Sequence, residues 1–257
     1  MSTVVVTGSA SGIGAATCEA LIAAGKNILG VDLAGADVSA DLSTSGGRKK
    51  AVEEILDRTN GVLDGLVCCA GLGPTANPVS LIAAVNYFGV TELLDGLFPA
   101  LQKGCDPAAV VVASNSISHL NASWLDSPLG KALLDGDEAM ALELANSSES
   151  EHIVYAGSKF AMTCYARSLA QSWGKSGVRL NVVAPGAVET PLLQAGLDDP
   201  RFGQAIREFL PPMGRRADPA EIADLITFMM SSQASYIHGS VYFVDGGIDA
   251  VQRPQHF

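Results

Sequence analysis

Two hydrophobic patterns alternate along this chain. Short, nearly continuous apolar runs rich in Val, Leu and Ile are typical of strands that are buried on both faces, and segments with helical character separate them. The runs occupy residues 3–7, 27–31, 62–69 and 109–113. Repeated strand–helix units without an internal sequence repeat predict an α/β fold, in which residues 1–257 form a single doubly wound parallel sheet flanked by helices.

The first strand leads into a glycine-rich turn that precedes a helix. This glycine loop, residues 8–14, has the spacing Gly-x-x-x-Gly-x-Gly. Such a turn brings backbone N–H groups and the positive end of a helix dipole to a phosphate, although an ordinary strand–helix turn can also be rich in glycine. The candidate contacts to a cofactor pyrophosphate are Gly8, Ser11, Gly12, Ile13 and Gly14.

The second strand ends at an acid, Asp32, which follows the glycine loop at the distance expected of a ribose-binding carboxylate. A carboxylate there accepts hydrogen bonds from the ribose hydroxyls of an adenosine and repels a 2′-phosphate. No Arg or Lys occurs at 33–36, and residues 9–13 are also uncharged. The sequence therefore predicts NAD rather than NADP, although an Asp at a strand end can be a simple turn residue.

Two further segments are candidates for cofactor contacts. Asp41 and Leu42 follow a short possible strand, and Asp41 is expected either at the adenine edge or at the N-cap of a helix over 43–58. The strand at 62–69 leads into a second loop that has few bulky side chains. The candidate contacts in that loop are Ala70, Gly71 and Gly73.

Tyr155 and Lys159 are four residues apart, so on a helix they lie on the same face. An ammonium close to a phenol favours the phenolate and lowers the pKa of the tyrosine from its ordinary value near 10, which would make it a usable base. The alternative is an ordinary surface pair, because this spacing is common in helices. The residues upstream favour the catalytic interpretation.

The candidate residues share one place in the predicted fold. Ligands of doubly wound sheets bind outside the carboxyl ends of the strands. The glycine loop, Asp32, the loop at 70–73 and Ser114 all follow predicted strands. They therefore converge on one crevice of a Rossmann-type sheet.

The order of these residues resembles that of the short-chain dehydrogenase/reductase family over essentially the whole chain. The matching features are Thr7-Gly8 with Gly12-Ile13-Gly14, Asp32, Asn86, Ser114, Tyr155-x-x-x-Lys159, Asn181 to Gly186 with Thr190, and Asp245-Gly246-Gly247. Within the family, stretches 70–74, 85–89, 211–216 and 245–251 are similar to bacterial hydroxysteroid dehydrogenases and carbonyl reductases.

The resemblance implies a role for each catalytic candidate. Tyr155 would be the general acid/base, and Lys159 would lower its pKa and bind the nicotinamide ribose. Ser114 would hydrogen-bond the substrate oxygen, although Ser116 would share its strand face at a period of two. Asn86 would hold a water that links Lys159 to solvent. The residues expected to cover the nicotinamide are Pro185, Gly186, Val188 and Thr190.

The implied activity is the NAD(H)-dependent interconversion of a secondary alcohol and a ketone, with a 3α-hydroxysteroid as the leading substrate. One alternative is a dehydrogenase or carbonyl reductase for another apolar or aromatic compound. Another is a dinucleotide-binding regulator without catalysis, but the intact Ser114, Tyr155, Lys159 and Asn86 argue against it.

The chain departs from the family pattern in two places. Cys68-Cys69 replaces a pair of asparagines, which puts the family's bracing of the central strand in doubt. In addition, 41 positions separate Ser114 from Tyr155, far more than in most of the family. We therefore predict a mainly helical insertion after the fifth strand, residues 117–152.

The insertion carries seven acids and one lysine. Asp137 to Leu144 is a good helix former with acids in its first turn. We expect Met140 and Leu144 to form its apolar stripe and the helix to pack beside the one that bears Tyr155. Relatives use that face for subunit contacts, so we expect a homo-oligomer, and a dimer in preference to a tetramer.

The lid segment, residues 190–213, is apolar and begins beside the expected nicotinamide site. Its large apolar residues are Leu192, Leu193, Leu197, Phe202, Ile206, Phe209 and Leu210. A mobile lid over a hydrophobic substrate is one interpretation. The other is an ordinary pair of amphipathic helices buried on the core.

Composition narrows the range of partners. The net charge of −11 makes nucleic acid or an anionic membrane an unsuitable partner. No uninterrupted apolar run is long enough to predict a membrane span, and the chain begins without a cleavable apolar segment. Five cysteines without metal-type spacing indicate reduced thiols and a cytoplasmic location. No metal site is predicted, and His119 and His152 are expected on the surface.

Overall fold

Seven short strands form one sheet in the computed structural model, which describes residues 2–255. All neighbouring strands are parallel, in the order β3-β2-β1-β4-β5-β6-β7. The strands are β1 (Thr3–Thr7), β2 (Asn27–Asp32), β3 (Val38–Ser39), β4 (Gly65–Cys68), β5 (Ala108–Val112), β6 (Arg179–Pro185) and β7 (Val241–Val244). The strand order reverses between β1 and β4, so the ligand crevice of such a sheet opens at their carboxyl ends.

The register brings the strand ends to one level. Thr7 at the end of β1 pairs with Val31 of β2 and with Cys68 of β4. Farther along the sheet, Val112 of β5 pairs with Val183 of β6. The loops that follow these strands therefore meet at one edge.

Helices cover both faces of the sheet, and the sheet separates two apolar cores. Their bounds are α1 Gly12–Ala23, α2 Ser45–Thr59, α3 Ser80–Ala83, α4 Gly89–Leu101, α5 Pro128–Leu134, α6 Glu138–Asn146, α7 Glu151–Ser168, α8 Ala170–Lys175, α9 Pro191–Asp198, α10 Gly203–Glu208, α11 Pro219–Met229 and α12 Ile248–Gln252. Cys68 and Cys69 pack into opposite cores, as expected of neighbours on a strand. The predicted doubly wound α/β fold is confirmed.

The fourth strand is shorter than the predicted range of 62–69. Asp64 interrupts the apolar run because its two carboxylate oxygens accept hydrogen bonds from the backbone N–H groups of Thr3 and Cys105, at 2.7 Å each. The ladder therefore begins only at Gly65.

A π-helical turn, Ala84–Phe88, joins α3 to α4. The resulting helix, Ser80–Leu101, is long and apolar enough to cross a membrane by length and composition. The sequence did not predict a span here because polar residues interrupt the apolar run. In the fold, 72% of its apolar window is buried, as in a core helix. The segment therefore contributes to the core of this domain.

The insertion after β5 is mainly helical, as predicted, but its packing differs in detail. It contains two 3₁₀ turns, Asn115–His119 and Ala122–Asp126, followed by α5 and α6. Helix α6 packs on α3 and α5, and it buries Ala141 and Ala145. Met140 is 46% exposed, so the predicted stripe of Met140 and Leu144 is wrong in part. The reason is that α3 approaches so closely that alanines fill the contact.

The insertion reaches the helix of Tyr155 through an aromatic side chain. The ring of Trp124 lies where a side chain at Gly157 of α7 would be, only 2.1 Å from an ideal Cβ. The same ring meets Phe160 edge to face, with centroids 6.5 Å apart. Contact with α7 therefore comes mainly from the turn Asn115–His119, Trp124 and α5, whereas α6, which was predicted to pack beside α7, packs mainly on α3 and α5.

Candidate active site

The glycine loop can be built only with glycines at its critical positions. Gly8 and Gly12 have φ values of +67° and +53°. At Gly14, an added Cβ would lie 2.0 Å from the carbonyl oxygen of Gly8. No side chain caps the N-terminus of α1 in the described chain, so the N–H groups at that end face the cleft. This bare backbone at a helix N-terminus fits a pyrophosphate.

Asp32 lies at the end of β2 and is tied to the glycine loop. Its Oδ2 accepts a hydrogen bond from the backbone N–H of Ala10 at 3.0 Å, and its Oδ1 accepts one from Leu33 at 2.7 Å. The carboxylate is therefore held at the rim of the cleft, where a ribose is expected.

Asp41 is not the N-cap of α2. The helix begins at Ser45, and its cap is Thr44, whose Oγ1 accepts from the N–H of Gly47 at 3.0 Å. Asp41 instead accepts a hydrogen bond from Ser43 at 2.9 Å and lines the cleft. Of the two alternatives for Asp41, the structure therefore favours the position beside the cleft.

The loop after β4 lies across the cleft from the glycine loop. Thr7 Oγ1 accepts a hydrogen bond from Ala70 N–H at 3.1 Å, so this threonine braces the loop in a chain that lacks the family's asparagines. A Cβ at Gly71 would lie 3.2 Å from Lys159 Nζ. Gly73 faces the side chain of Leu192 instead of the cleft interior.

These segments enclose a cleft of about 550 Å³. Besides Gly73, only the candidate Asn86 does not line it, because Asn86 lies behind the loop at 70–73. The candidates that line it are Gly8, Ser11, Gly12, Ile13, Gly14, Asp32, Asp41, Leu42, Ala70, Gly71, Ser114, Tyr155, Lys159, Pro185, Gly186, Val188 and Thr190. Sequence reasoning missed the lining residues Val31, Cys69, Leu81, Val85 and Val112. Val31, Cys69 and Val112 lie at strand ends, so their positions in the sequence could have predicted that they line the cleft.

Ser114 and Tyr155 form the reactive centre of the cleft. Both side chains line the cleft, and the Ser114 hydroxyl lies close enough to Tyr155 to affect the pKa of its phenol. Ser114 Oγ also accepts the backbone N–H of Ser116 at 3.2 Å. Ser116 lies on the 3₁₀ turn because β5 ends at Val112, so the expectation that both serines share a strand face is wrong.

Burial dominates the titration of both Tyr155 and Lys159. It raises the pKa of Tyr155 above its ordinary value, and the neighbouring Ser114 hydroxyl opposes this effect. Burial also lowers the pKa of Lys159 to about 8. Lys159 Nζ donates to the carbonyl oxygen of Val112 at 2.8 Å. Desolvation of the phenol therefore has the largest effect on the pKa of Tyr155, and the lowering of this pKa by Lys159 stays a prediction.

Asn86 acts as an anchor for the neighbouring loop. Its Oδ1 accepts the N–H of Leu72 at 2.8 Å, and its Nδ2 donates to the carbonyl of Leu72 at 3.0 Å and to Ser158 Oγ at 3.3 Å. These bonds hold the loop at 70–73 against α7, beside Lys159. The role of holding a water stays a prediction.

The loop after β6 closes the end of the cleft expected to hold the nicotinamide. A Cβ at Gly186 would lie 2.8 Å from the Cα of Asp245, so the backbone turns tightly there. Thr190 caps α9, since its Oγ1 accepts the N–H of Leu193 at 3.2 Å, and its methyl group faces Gly12. This loop therefore joins the glycine loop to the lid segment.

The lid segment forms α9 and α10, which pack mainly on each other. Leu192 and Phe209 are 43% and 50% exposed, so the alternative of a helix pair buried on the core is wrong. At the tip, Arg201 Nη1 lies 2.5 Å from Glu151 Oε1 at the first turn of α7. Glu151 precedes Tyr155 by four residues, so this ion pair lies near the mouth of the cleft.

The histidines and other potential metal ligands form no metal centre in residues 2–255, where no three His, Cys, Asp or Glu side chains are grouped to hold an ion. His119 and His152 are exposed, as predicted, with ring centroids 5.9 Å apart.

Full-length relatives identify the family. The chain is 52% identical over 259 residues to the 3-alpha-hydroxysteroid dehydrogenase/carbonyl reductase of Comamonas testosteroni, with complete coverage of both proteins. It belongs to the short-chain dehydrogenase/reductase family. The family model described as Enoyl-(Acyl carrier protein) reductase also matches residues 139–249.

Other comparisons agree with this assignment. The crystal structure of the 3-alpha-hydroxysteroid dehydrogenase from Pseudomonas sp. B-0831 complexed with NADH superposes with a TM-score of 0.96, at 55% identity and complete coverage of both chains. The cis-4-hydroxycyclohexanecarboxylate dehydrogenase of Sinomonas cyclohexanicum is 32% identical, over 96% of each chain. The resemblance inferred from the sequence is confirmed.

Proposed function

We propose that this protein is an NAD(H)-dependent oxidoreductase that interconverts a 3α-hydroxysteroid and the corresponding 3-ketosteroid. The observation that carries the proposal is the meeting of Ser114, Tyr155 and Lys159 at one end of a cleft whose other end fits a dinucleotide. The full-length similarity to two 3-alpha-hydroxysteroid dehydrogenases supports the steroid as substrate class.

The choice of NAD follows from the charges at the ribose end. The Asp32 carboxylate is held at the rim by two backbone N–H groups and would repel a 2′-phosphate. The neighbouring lining residues of the strand and its loop, Val31 and Leu33, bring no cation. The NADH bound to the similar Pseudomonas enzyme supports the same cofactor.

When bound, NAD supplies the hydride acceptor or donor for the substrate carbon. Ser114 and Tyr155 then position the substrate oxygen. Ser114 Oγ accepts the N–H of Ser116, which fixes the position of the hydroxyl, and the hydroxyl proton can be donated to the substrate oxygen. The pair therefore holds the oxygen in a defined place and stabilises the charge that develops on it.

Tyr155 transfers the proton. In alcohol oxidation its phenolate takes the hydroxyl proton, and in ketone reduction its phenol returns one. Burial opposes the phenolate, so the cation of Lys159 one helical turn away is needed to favour it. The anchoring of loop 70–73 by Asn86 keeps Lys159 confined beside that loop.

The test is absorbance at the NADH wavelength with androsterone and NAD, with NADP as the control. Reduction of NAD alone would support both the substrate class and the role of Asp32. In Tyr155→Phe we expect turnover to fall by about 10²- to 10⁴-fold, the usual contribution of a positioned acid/base, while NADH still binds. Unchanged turnover in that variant would exclude Tyr155 as the acid/base.

A second candidate is a dehydrogenase or carbonyl reductase for a smaller apolar alcohol or ketone. The 32% identical relative from Sinomonas is named for a cyclohexane substrate, and that from Pseudomonas sp. HR199, at 31%, for coniferyl alcohol. Turnover of such compounds with none of androsterone would favour this alternative.

Two further proposals concern the state of the protein. We propose a homodimer, because Trp124 and α5 of the insertion pack on α7, and the resemblance to the family implies that a face of this helix is used for subunit contacts. Light scattering that gives a tetramer would contradict it. A cytoplasmic location is supported by five cysteines that are all free thiols in the fold.

A further inference from the structure

Arg48 of α2 is a buried arginine that joins three parts of the molecule. Its side chain is 0% exposed. Nη2 lies 2.7 Å from both carboxylate oxygens of Glu138, and Nε lies 2.9 Å from Glu92 Oε2. Nη1 donates to the carbonyl oxygen of Leu42 at 3.2 Å. Arg48 therefore connects α4, the first residue of insertion helix α6 and the loop before α2.

The buried cation depends on its two carboxylates. A guanidinium removed from water is stable only when opposite charges and hydrogen bonds replace its hydration, and loss of one partner leaves an undercompensated charge. Glu138 places both of its carboxylate oxygens on one nitrogen of the guanidinium, Nη2, and so forms a charge-assisted contact with it. Its loss is therefore expected to shift Arg48.

The loop that Arg48 holds is the adenine end of the cleft. Asp41 and Leu42 both line the cleft. The loop is tightly packed, because a Cβ at Gly47 would lie 1.9 Å from the carbonyl oxygen of Asp41. A movement of Arg48 is therefore transmitted to the backbone of Leu42.

We propose that Glu138 is a positioning residue for the adenine end of the cofactor site. Through Arg48 it holds the Asp41–Leu42 loop in place, so the insertion takes part in cofactor binding although none of its residues lines the cleft. This inference rests on the proposed use of NAD.

The test compares two neutralising substitutions on the same helix, Glu138→Gln and Glu143→Gln. Glu143 is exposed and forms no ion pair with any residue from 2 to 255. NADH binding to each variant is measured by calorimetry. Positioning predicts that Glu138→Gln raises the Kd for NADH roughly five-fold or more, while Glu143→Gln changes it little. Simple electrostatics predicts the opposite sign, because removal of a negative charge favours an anionic dinucleotide.

Fragments of the cofactor locate the effect. ADP-ribose should lose as much affinity as NADH in Glu138→Gln, and nicotinamide mononucleotide should lose none. Equal or tighter binding of NADH and ADP-ribose to Glu138→Gln would overturn the inference. If the unaltered protein binds no NADH at all, the proposed function fails instead, so the two failures are distinguishable.

A folding control accompanies these measurements. Circular dichroism without cofactor checks that Glu138→Gln keeps its helices. If that variant does not fold, Glu138→Asp keeps the charge and shortens the reach to Arg48 by one methylene, and it should show the same selective loss of ADP-ribose affinity. Full ADP-ribose affinity in a folded Glu138→Asp would count against the positioning role.

Discussion

The two ends of the cleft differ in the kind of atoms that pack there, which are backbone atoms at one end and flexible side chains at the other. At the cofactor end, backbone atoms meet where no side chain fits, as at Gly14, where a Cβ would lie 2.0 Å from a carbonyl oxygen. At the lid end, the contacts are made by flexible side chains such as Leu192, which approaches an ideal Cβ at Gly73 to 3.1 Å. The cofactor end therefore tolerates no change of shape, while the lid end can repack.

The similar proteins are named for a range of alcohols. They include a hydroxysteroid, a hydroxycyclohexanecarboxylate, coniferyl alcohol and threitol. A rigid end suits a constant cofactor, whereas an end lined by mobile apolar side chains can accept different substrates. Changes to the two ends should therefore have different consequences.

The largest effect on stability is expected at Lys159, which is buried at the reactive centre of the cleft. Its pKa falls from 10.5 to about 8 because the ammonium is buried. Between these two pKa values Lys159 is protonated in the unfolded chain but not in the folded chain, so the unfolding free energy rises with pH across this window. Below the window the folded protein carries the full cost of the buried ammonium. The penalty is about 3 kcal/mol, at 1.36 kcal/mol for each unit of pKa.

Lys159→Met removes this pH dependence. In urea unfolding, the unfolding free energy of the original protein should rise by about 3 kcal/mol relative to that of the variant between pH 8 and pH 10.5. Loss of the bond to Val112 changes the stability of the variant by the same amount at every pH and does not affect this difference. Lys175→Met, at an exposed position, should leave the curve unchanged. Parallel curves for Lys159→Met and the original protein would show that Lys159 is not desolvated.

The rigid end was also the more predictable from sequence. Backbone requirements leave a direct signature, since Gly8, Gly12 and Gly14 are needed wherever other residues cannot fit. Strand ends were also predictable, because buried parallel strands are continuous apolar runs whose ends are visible in the sequence. Nearly all the cofactor candidates accordingly line the cleft.

Contacts between distant side chains were not predictable. The approach of Trp124 to Gly157 and of Arg48 to Glu138 depends on the packing of the insertion, which has no local signature. The burial that raises the pKa of Tyr155 was also not predicted, because helical spacing gives the distance to Lys159 but says nothing about desolvation. Both kinds of failure concern burial by elements far apart in sequence.

A matched pair of glycine substitutions compares the two ends directly. Gly14→Ala forces a methyl group into backbone atoms, so we expect about 1–3 kcal/mol of lost stability together with weaker NADH binding. Gly73→Ala meets only the flexible side chain of Leu192, so we expect less than about 0.5 kcal/mol and unchanged NADH affinity. Thermal unfolding and calorimetry with NADH measure both. Equal losses in the two variants would contradict the contrast between the ends.

The smallest effect is expected at the ion pair between the lid and α7. Arg201 and Glu151 are both partly exposed, and exposed pairs contribute about 0–1 kcal/mol that salt screens further. Arg201→Gln should therefore accelerate proteolysis within residues 190–213 by no more than about five-fold at low salt, with no effect on NADH affinity. The exposed pair of Arg215 and Glu221 lies outside the lid segment, so Arg215→Gln should not change this cleavage. If the reciprocal exchange Glu151→Arg with Arg201→Glu restores protection, the pair itself holds the lid segment on α7; if it does not, Arg201 acts through its second ion-pair partner, Asp199, within that segment.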